Sequence, residues 1–418
     1  MRQYEYWIFF SIGILFSLSL QGQSSLPVGQ VLSSARHDRT VDLQQQHIDF
    51  ISGTNQNIPF VDQISLRSET ERFQVFRQQY LARLTVNGFG EMHQQHKLNQ
   101  ASMMTETQVR KVYEHEALNQ RYEAAVLYRF ILQRMALQEE LILVYQDKVD
   151  VLKKLTALST GVEVDDLIKT EYDRDGLNLD MEEARTQLDI IKGKIATWVL
   201  VPDTDWNLDT SGFIDPAHME LVVDQIPSQA DHNPSIIEKQ YKLDQVQAEY
   251  NVEKASASQM LDFFQVQYAR RTDGLLNREF SAGIGINLPF KGSSRVKIAN
   301  LQINRNNLEQ NIQLNLEQFN QSVKTAHEQM TSLIRRYNLA KEQWNQSQNK
   351  FTLDHSSLVR ADGPMTLLKA REMQIKRQLT LLDLGKQIVD QYIIILDLTG
   401  VLSSVPSVNY LSKHLENY

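Results

Sequence analysis

The stretch EFSAGIGINLPFKGSSRVKIANLQINRNNLEQNIQ, from Glu279 to Gln313, changes its period part-way along. Phe280, Ala282, Ile284, Ile286 and Leu288 are apolar, and Ser281, Gly283, Gly285 and Asn287 between them are small or polar. A period of two is the pattern of a β-strand with one apolar and one polar face. Pro289 and Gly292 then break the alternation, and a long, polar, helix-forming run follows. A dyad alternation of about ten residues is the signature of a transmembrane β-strand whose polar face lines a lumen, and the competing reading is a half-buried sheet packed on helices.

Working outward, three further segments alternate in the same way. FFQVQYARR sets Phe264, Val266 and Tyr268 against Gln265, Gln267 and Ala269, and Asp273-Gly274 after it is a turn signal. In the first half, Ile64 and Leu66 alternate with Gln63, Ser65 and Arg67. Tyr80, Ala82, Leu84 and Val86 alternate with Leu81, Arg83, Thr85 and Asn87. The expectation is two β-hairpins, at about 61–88 and 261–289, with Tyr80, Leu84, Val86, Phe264, Val266, Tyr268, Ile284 and Ile286 facing lipid. Four strands cannot close a barrel, and open strand edges are not tolerated in a bilayer. Strands embedded in a membrane would therefore have to be pooled by several chains.

Each hairpin is followed by a long run free of Gly and Pro. One lies between Gly90 and Gly161 and the other between Gly292 and Gly363, 70 residues each and offset by 202 positions (90 to 292, 161 to 363), which points to an internal duplication. A helix of that length reaches roughly 105 Å. In the second run Leu316, Phe319, Val323, Ala326, Met330, Leu333, Tyr337, Ala340 and Trp344 follow a spacing of three and four, a coiled-coil seam. The first run is less regular, with Leu118, Tyr122, Ala125, Leu132 and Ala136 as its stripe. Shorter helical segments follow, from about Val162 to Val201 and from about Met365 to Thr399, after the turns LSTGVEVDD and LDHSSLVRADGP. Each half thus pairs a β-hairpin with a helical hairpin.

Composition narrows the setting. The formal net charge of -8 argues against nucleic acid as a partner. The apolar run Trp7 to Leu20, preceded by Arg2 and followed by QGQSS, suits a secretory signal peptide over residues 1–22. At 14 residues it is short for a spanning helix, which needs about 20. The chain has no cysteine, which excludes disulfides and a lipid-modified cysteine. No phosphate loop, nucleophile elbow or cysteine metal site is present, so no catalytic, cofactor-binding or metal-binding residues are assigned. His93 and His96, with Met103 and Met104 nearby, have the residue types of a soft-metal site but no third ligand in sequence, and read as helix surface.

Three stretches carry a family resemblance. NPSIIEKQYKLDQVQAEYNVEKASASQM from Asn233, FSAGIGINLPF with KGSSRVKIANLQINRNNLE, and LKAREMQIKRQLTLLDLGKQIVDQYIIILDLTG resemble the corresponding helix, strand and returning helix of the TolC-like outer-membrane efflux proteins, or outer-membrane factors. The resemblance covers nearly the whole mature chain. It implies a homotrimer in the outer membrane of a Gram-negative bacterium, reaching into the periplasm. Its partners would be a periplasmic adaptor, an inner-membrane transporter and outer-membrane lipid.

The expected fold class is then an α+β membrane protein. It combines a long antiparallel helical coiled-coil barrel with a transmembrane β-barrel of four strands per protomer, internally duplicated and trimeric. The expected layout is a first repeat at 23–202, an equatorial linker at 203–232, a second repeat at 233–400 and a C-terminal tail at 401–418. The expected function is the passive exit duct of an efflux or type I secretion system. The competing reading is a periplasmic coiled-coil scaffold that transports nothing. In the duct reading Gly161, Glu163, Asp165, Arg360, Asp362 and Gly363 mark the periplasmic tip, where Arg360 pairing with a first-turn acid would hold the duct shut.

Overall fold

The structure is a computed structural model and describes residues 24–54, 57–70, 78–157, 164–201, 206–226, 232–269, 280–286, 292–361, 363–404 and 406–418, without the side chains of 292–293 and 347–361. The expected signal peptide lies outside these residues. The described chain is mostly helical, with a few strands, and forms two compact units.

One unit comprises the described parts of Arg39–Tyr113 and Ala230–Asn320. It holds α2 (Arg39–Gly53), β2 (Val61–Thr70), β3 (Gln78–Val86), α6 (Pro234–Ala257), β5 (Leu261–Ala269) and β6 (Phe280–Ile286). The four strands make one antiparallel sheet in the order β2-β3-β5-β6. The two hairpins share a register. Val61 pairs with Val86 and Gln63 with Thr85, while Leu261 pairs with Ile286 and Phe263 with Gly285, each 200 positions on (61 to 261, 86 to 286). Both first strands shift register at the same place, around Asp62 and Asp262. Such a bulge bends a strand and sharpens its twist. At the base, Gln259 donates from Nε2 to the Val86 carbonyl at 2.6 Å and to the Leu261 carbonyl at 2.8 Å, tying β3 to β5. The Asn-Pro sequence that opens α6 acts as a helix start. Asn233 accepts from the backbone N–H groups of Ser235 and Ile236, and Pro234 occupies the first turn, where a missing N–H costs nothing.

The other unit comprises the described parts of Met1–Asp38, Glu114–Gln229 and Gln321–Tyr418. A short parallel sheet joins β1 (Ser24–Pro27) to β4 (Trp206–Asp209). Next to β1 stands α1 (Val28–Ser33), and α5 (Pro216–Gln225) follows β4. Most of the core comes from the long helices α3 (Phe89–Ala157) and α7 (Gly292–Ala361) and the returning helices α4 (Val164–Val199) and α8 (Gly363–Leu398). Tyr122, Tyr128 and Ile131 of α3 pack in one apolar cluster with Ile195 of α4, Met330 of α7, and Ile388 and Ile395 of α8. Burial of this stripe holds helices far longer than local propensity alone supports.

The α7 seam is as expected at Phe319, Val323, Ala326 and Met330, all buried. In α3 the stripe differs from the sequence reading. Leu118, Tyr122 and Ala125 are buried, but Leu132 and Ala136 are exposed, and the buried line continues through Tyr128, Ile131, Leu141 and Tyr145. Tyrosines are core residues here because their hydroxyls find partners, which an apolarity count does not register. The second turn also differs. α7 stays helical through Ala361, so most of LDHSSLVRADGP belongs to the helix and α8 starts at Gly363, whose φ of +71° favours glycine.

The C-terminal tail is built into this unit. Ile214 donates to the Leu411 carbonyl and Lys413 to the Gly212 carbonyl, both at 2.8 Å. The Tyr122 hydroxyl donates to the Val408 carbonyl at 2.9 Å and accepts from the Tyr410 N–H at 3.1 Å. Burial pushes the phenols of Tyr122 and Tyr392 well up, and that of Tyr418 to about 12.

Candidate functional site: a two-faced sheet and a polar clasp between helices

Register sets the faces of the four-stranded sheet. Ile64, Leu84, Phe264 and Ile284 form one cross-strand row, and Leu66, Ala82, Val266 and Ala282 form the next. Tyr80, Tyr268 and Phe280 continue the same face, with the rings of Tyr268 and Phe280 4.9 Å apart. Much of this face is bare within the chain. Leu66 is 81% exposed, Ile284 64% and Ile286 69%. So large an apolar patch marks a surface meant for lipid or another protein. Of the residues expected to face lipid, Tyr80, Phe264, Val266, Ile284 and Ile286 are exposed, and Leu84 and Tyr268 are half-buried. Val86 departs from the expectation: it is 3% exposed, at the base of the sheet, where β3 ends beside the Gln259 side chain.

The opposite face is polar and internally bonded. Arg83 donates from Nη2 to Gln265 Oε1 at 3.2 Å, and Gln267 donates to Gln79 at 3.0 Å. Arg67 pairs with Glu69 at 2.7 Å. Among the described residues the outer strands β2 and β6 each have one neighbour in the sheet, so each leaves a row of backbone groups along an edge with no described partner. Among the described residues no helix is long and apolar enough to cross a membrane.

In the other unit a polar cluster clasps α3 to α8. Glu372 accepts a hydrogen bond from the Tyr145 hydroxyl at 2.7 Å and from Lys376 at 2.6 Å, and it pairs with the nearly buried Lys148. Lys376 also donates to Tyr145 at 3.2 Å. Burial pushes the Glu372 carboxyl up, but the bonds from Lys148, Lys376 and Tyr145 outweigh this and bring it down to about 2. Arg371 and Glu140 form a second link between the same helices. Lys153 pairs with Glu171 of α4 at 2.8 Å.

Of the residues expected at the tip, only two are described in full. Asp165 is exposed in the first turn of α4 and Gly363 opens α8. Gly161, Glu163 and Asp362 lie outside the described residues, as does the side chain of Arg360 within α7. The Glu372 cluster was missed because only its Glu372–Lys376 spacing is local; Tyr145 and Lys148 meet it across more than 220 positions. His96 is exposed, with Nε2 3.1 Å from Gln100 Nε2, and among the described residues no group of three His, Cys, Asp or Glu is placed to hold a metal.

No protein-family model matches the sequence, and no curated protein matches it. Solved structures do. The outer-membrane channel OprN superposes with a TM-score of 0.66 at 12% identity, over 89% of this chain and 89% of that one. The outer-membrane channel MtrE of Neisseria gonorrhoeae, in its open state, gives 0.62 at 12% identity over 93% and 91%. The outer membrane protein VceC of Vibrio cholerae gives 0.63 at 10% over 89% and 96%. This chain has the fold of the TolC-like outer-membrane factors.

Proposed function

We propose that this protein is the outer-membrane exit duct of a tripartite efflux or type I secretion assembly in a Gram-negative bacterium. It would passively carry substrates from the periplasm or an inner-membrane pump to the exterior. The observation that carries this reading is the sheet, with an exposed apolar face, a polar face and two edges that have no described partner. An unpaired edge is costly in lipid. A homotrimer pairing β6 of one copy with β2 of the next would remove every edge and close a barrel of twelve strands around the polar face. The helical hairpins would then form the periplasmic barrel, meeting a periplasmic adaptor and an inner-membrane transporter. Blocks 23–202 and 233–400 would be two repeats of one ancestral unit, a reading supported by the common register of the hairpins.

The gate in this reading lies at the helix turns, around Gly161, Glu163, Asp165, Arg360, Asp362 and Gly363. The Glu372 cluster would restrain α3 against α8 as the turns spread. Exposed ion pairs of the Arg360 kind are worth about 0–1 kcal/mol each, weak enough for an adaptor to break by differential binding. In an intact trimer, Arg360→Ala should raise single-channel conductance or open probability, and no change would remove Arg360 from the gate.

A periplasmic scaffold that transports nothing has no use for the exposed apolar face. Fractionation separates the two readings. The duct sediments with the outer membrane, and recovery in the soluble periplasmic fraction overturns it. The chain has no cysteine, so cysteines introduced singly along β2 and β6 give a clean disulfide scan. Covalent trimers from some β2–β6 pair are expected, and none across the scan would overturn the closed barrel.

A further inference from the structure

One part of the polar face is built around an aromatic ring. Phe263 has Gly285 as its partner on β6, and the ring lies over that glycine: a Cβ at Gly285 would stand 2.2 Å from Phe263 Cε1. Gly285 is thus required by the ring above it, whereas a Cβ at Gly283 meets nothing within 4 Å. Arg83, on the neighbouring strand β3, stacks on the same ring, with Cζ 3.9 Å from its centroid. Its Nη2 is held by Gln265 at 3.2 Å, and its Nε is buried with no hydrogen-bond partner among the described residues. Arg67 on the same face is neutralised by Glu69. Among the described residues Arg83 makes no ion pair, and its position is set by three strands.

Resting on the duct reading, we propose that Arg83 is a selectivity residue of the channel, a fixed cation on the lumen face that favours anionic solutes, with Phe263 and Gly285 as its platform. Stacking and the Gln265 bond use the flat face and one edge of the guanidinium and leave its remaining N–H groups for a passing carboxylate, phosphate or halide. Three copies would set three such charges at one level of the barrel, where a low-dielectric wall focuses their field.

The test is the reversal potential of the full-length protein in planar bilayers across a potassium chloride gradient. The wild type should pass chloride in preference to potassium. Arg83→Gln should lower the chloride-to-potassium permeability ratio by at least roughly fivefold, the effect of a unit charge on one ion at about 4 Å in water. Arg83→Lys should keep most of the preference. Phe263→Leu, which leaves the charge but removes its platform, should give an intermediate ratio. Equal ratios for wild type and Arg83→Gln, or a cation-selective wild type, would overturn the proposal while leaving the duct reading intact. Absence of any channel would overturn both.

Discussion

The Tyr145 hydroxyl of α3 donates to Glu372 of α8 at 2.7 Å, inside a cluster that also holds Lys148 and Lys376. Glu372→Gln keeps the shape but leaves Lys148 buried without its carboxylate. The expected cost is roughly 3 kcal/mol, as when one member of a buried pair is removed. It should appear as faster hydrogen exchange in α3 around Val144–Val149. The proton linkage has a definite direction. Folding lowers the Glu372 pKa from 4.5 to about 2, so the contribution is fully present above about pH 4.5 and is lost as pH falls towards about 2. Exchange in this segment should therefore respond to pH in the wild type within that window, and Glu372→Gln should flatten the response.

The sheet predicts opposite outcomes for neighbouring residues on β6. If the proposed duct holds, Ile284→Arg places a charge on the lipid face and should cost roughly 2–4 kcal/mol near a bilayer midplane, reducing the proposed trimer on native gels. Gly283→Arg points from the polar face into open space. It should assemble normally and conduct less. Gly285 is not equivalent to Gly283, because any side chain there displaces the Phe263 ring. Equal tolerance of arginine at 283 and 284 would reverse the assignment of faces.

Arg121 is 1% exposed and pairs with Asp38 at 2.6 Å, with its guanidinium over Trp198 at 4.3 Å. It fastens the segment after α1 to α3. Arg121→Ala removes both the charge partner of Asp38 and the stack on Trp198, and should destabilise by roughly 3–5 kcal/mol. Protease cutting near residues 34–40 is the readout, and an unchanged digestion pattern would count against this anchoring role.

Tyr122→Phe removes one hydroxyl that serves both Val408 and Tyr410. A half-buried carbonyl and N–H lose this partner, so the expected loss is roughly 1 kcal/mol. The C-terminal tail should then become more sensitive to carboxypeptidase, with the helices elsewhere unchanged.

Local alternation and helix periodicity were enough to set out the strands, the long helices and their order. Side-chain direction repeats every two residues in a strand, and the Phe319–Met330 seam every three or four in a helix, so both are written in short windows of sequence. The Asn233-Pro234 start was reached through the family resemblance, and the second turn, expected over residues 353–364, proved to be a short break before Gly363. What lay beyond the sequence was decided by contacts between distant segments. The α3 stripe runs through tyrosines whose hydroxyls find partners far off in sequence: Tyr122 in the C-terminal tail, Tyr128 at Asn207 and Leu208 of β4, and Tyr145 at Glu372 of α8. Lys148 can be nearly buried because Glu372 meets it from another helix. Arg83 reads as one charge among several in a hairpin, and becomes a cation held in place only when β5 brings Phe263 against it and β6 offers a glycine to make room for the ring. Such pairings follow from tertiary packing, where the cost of burying a polar or charged group is met by partners that no local window contains.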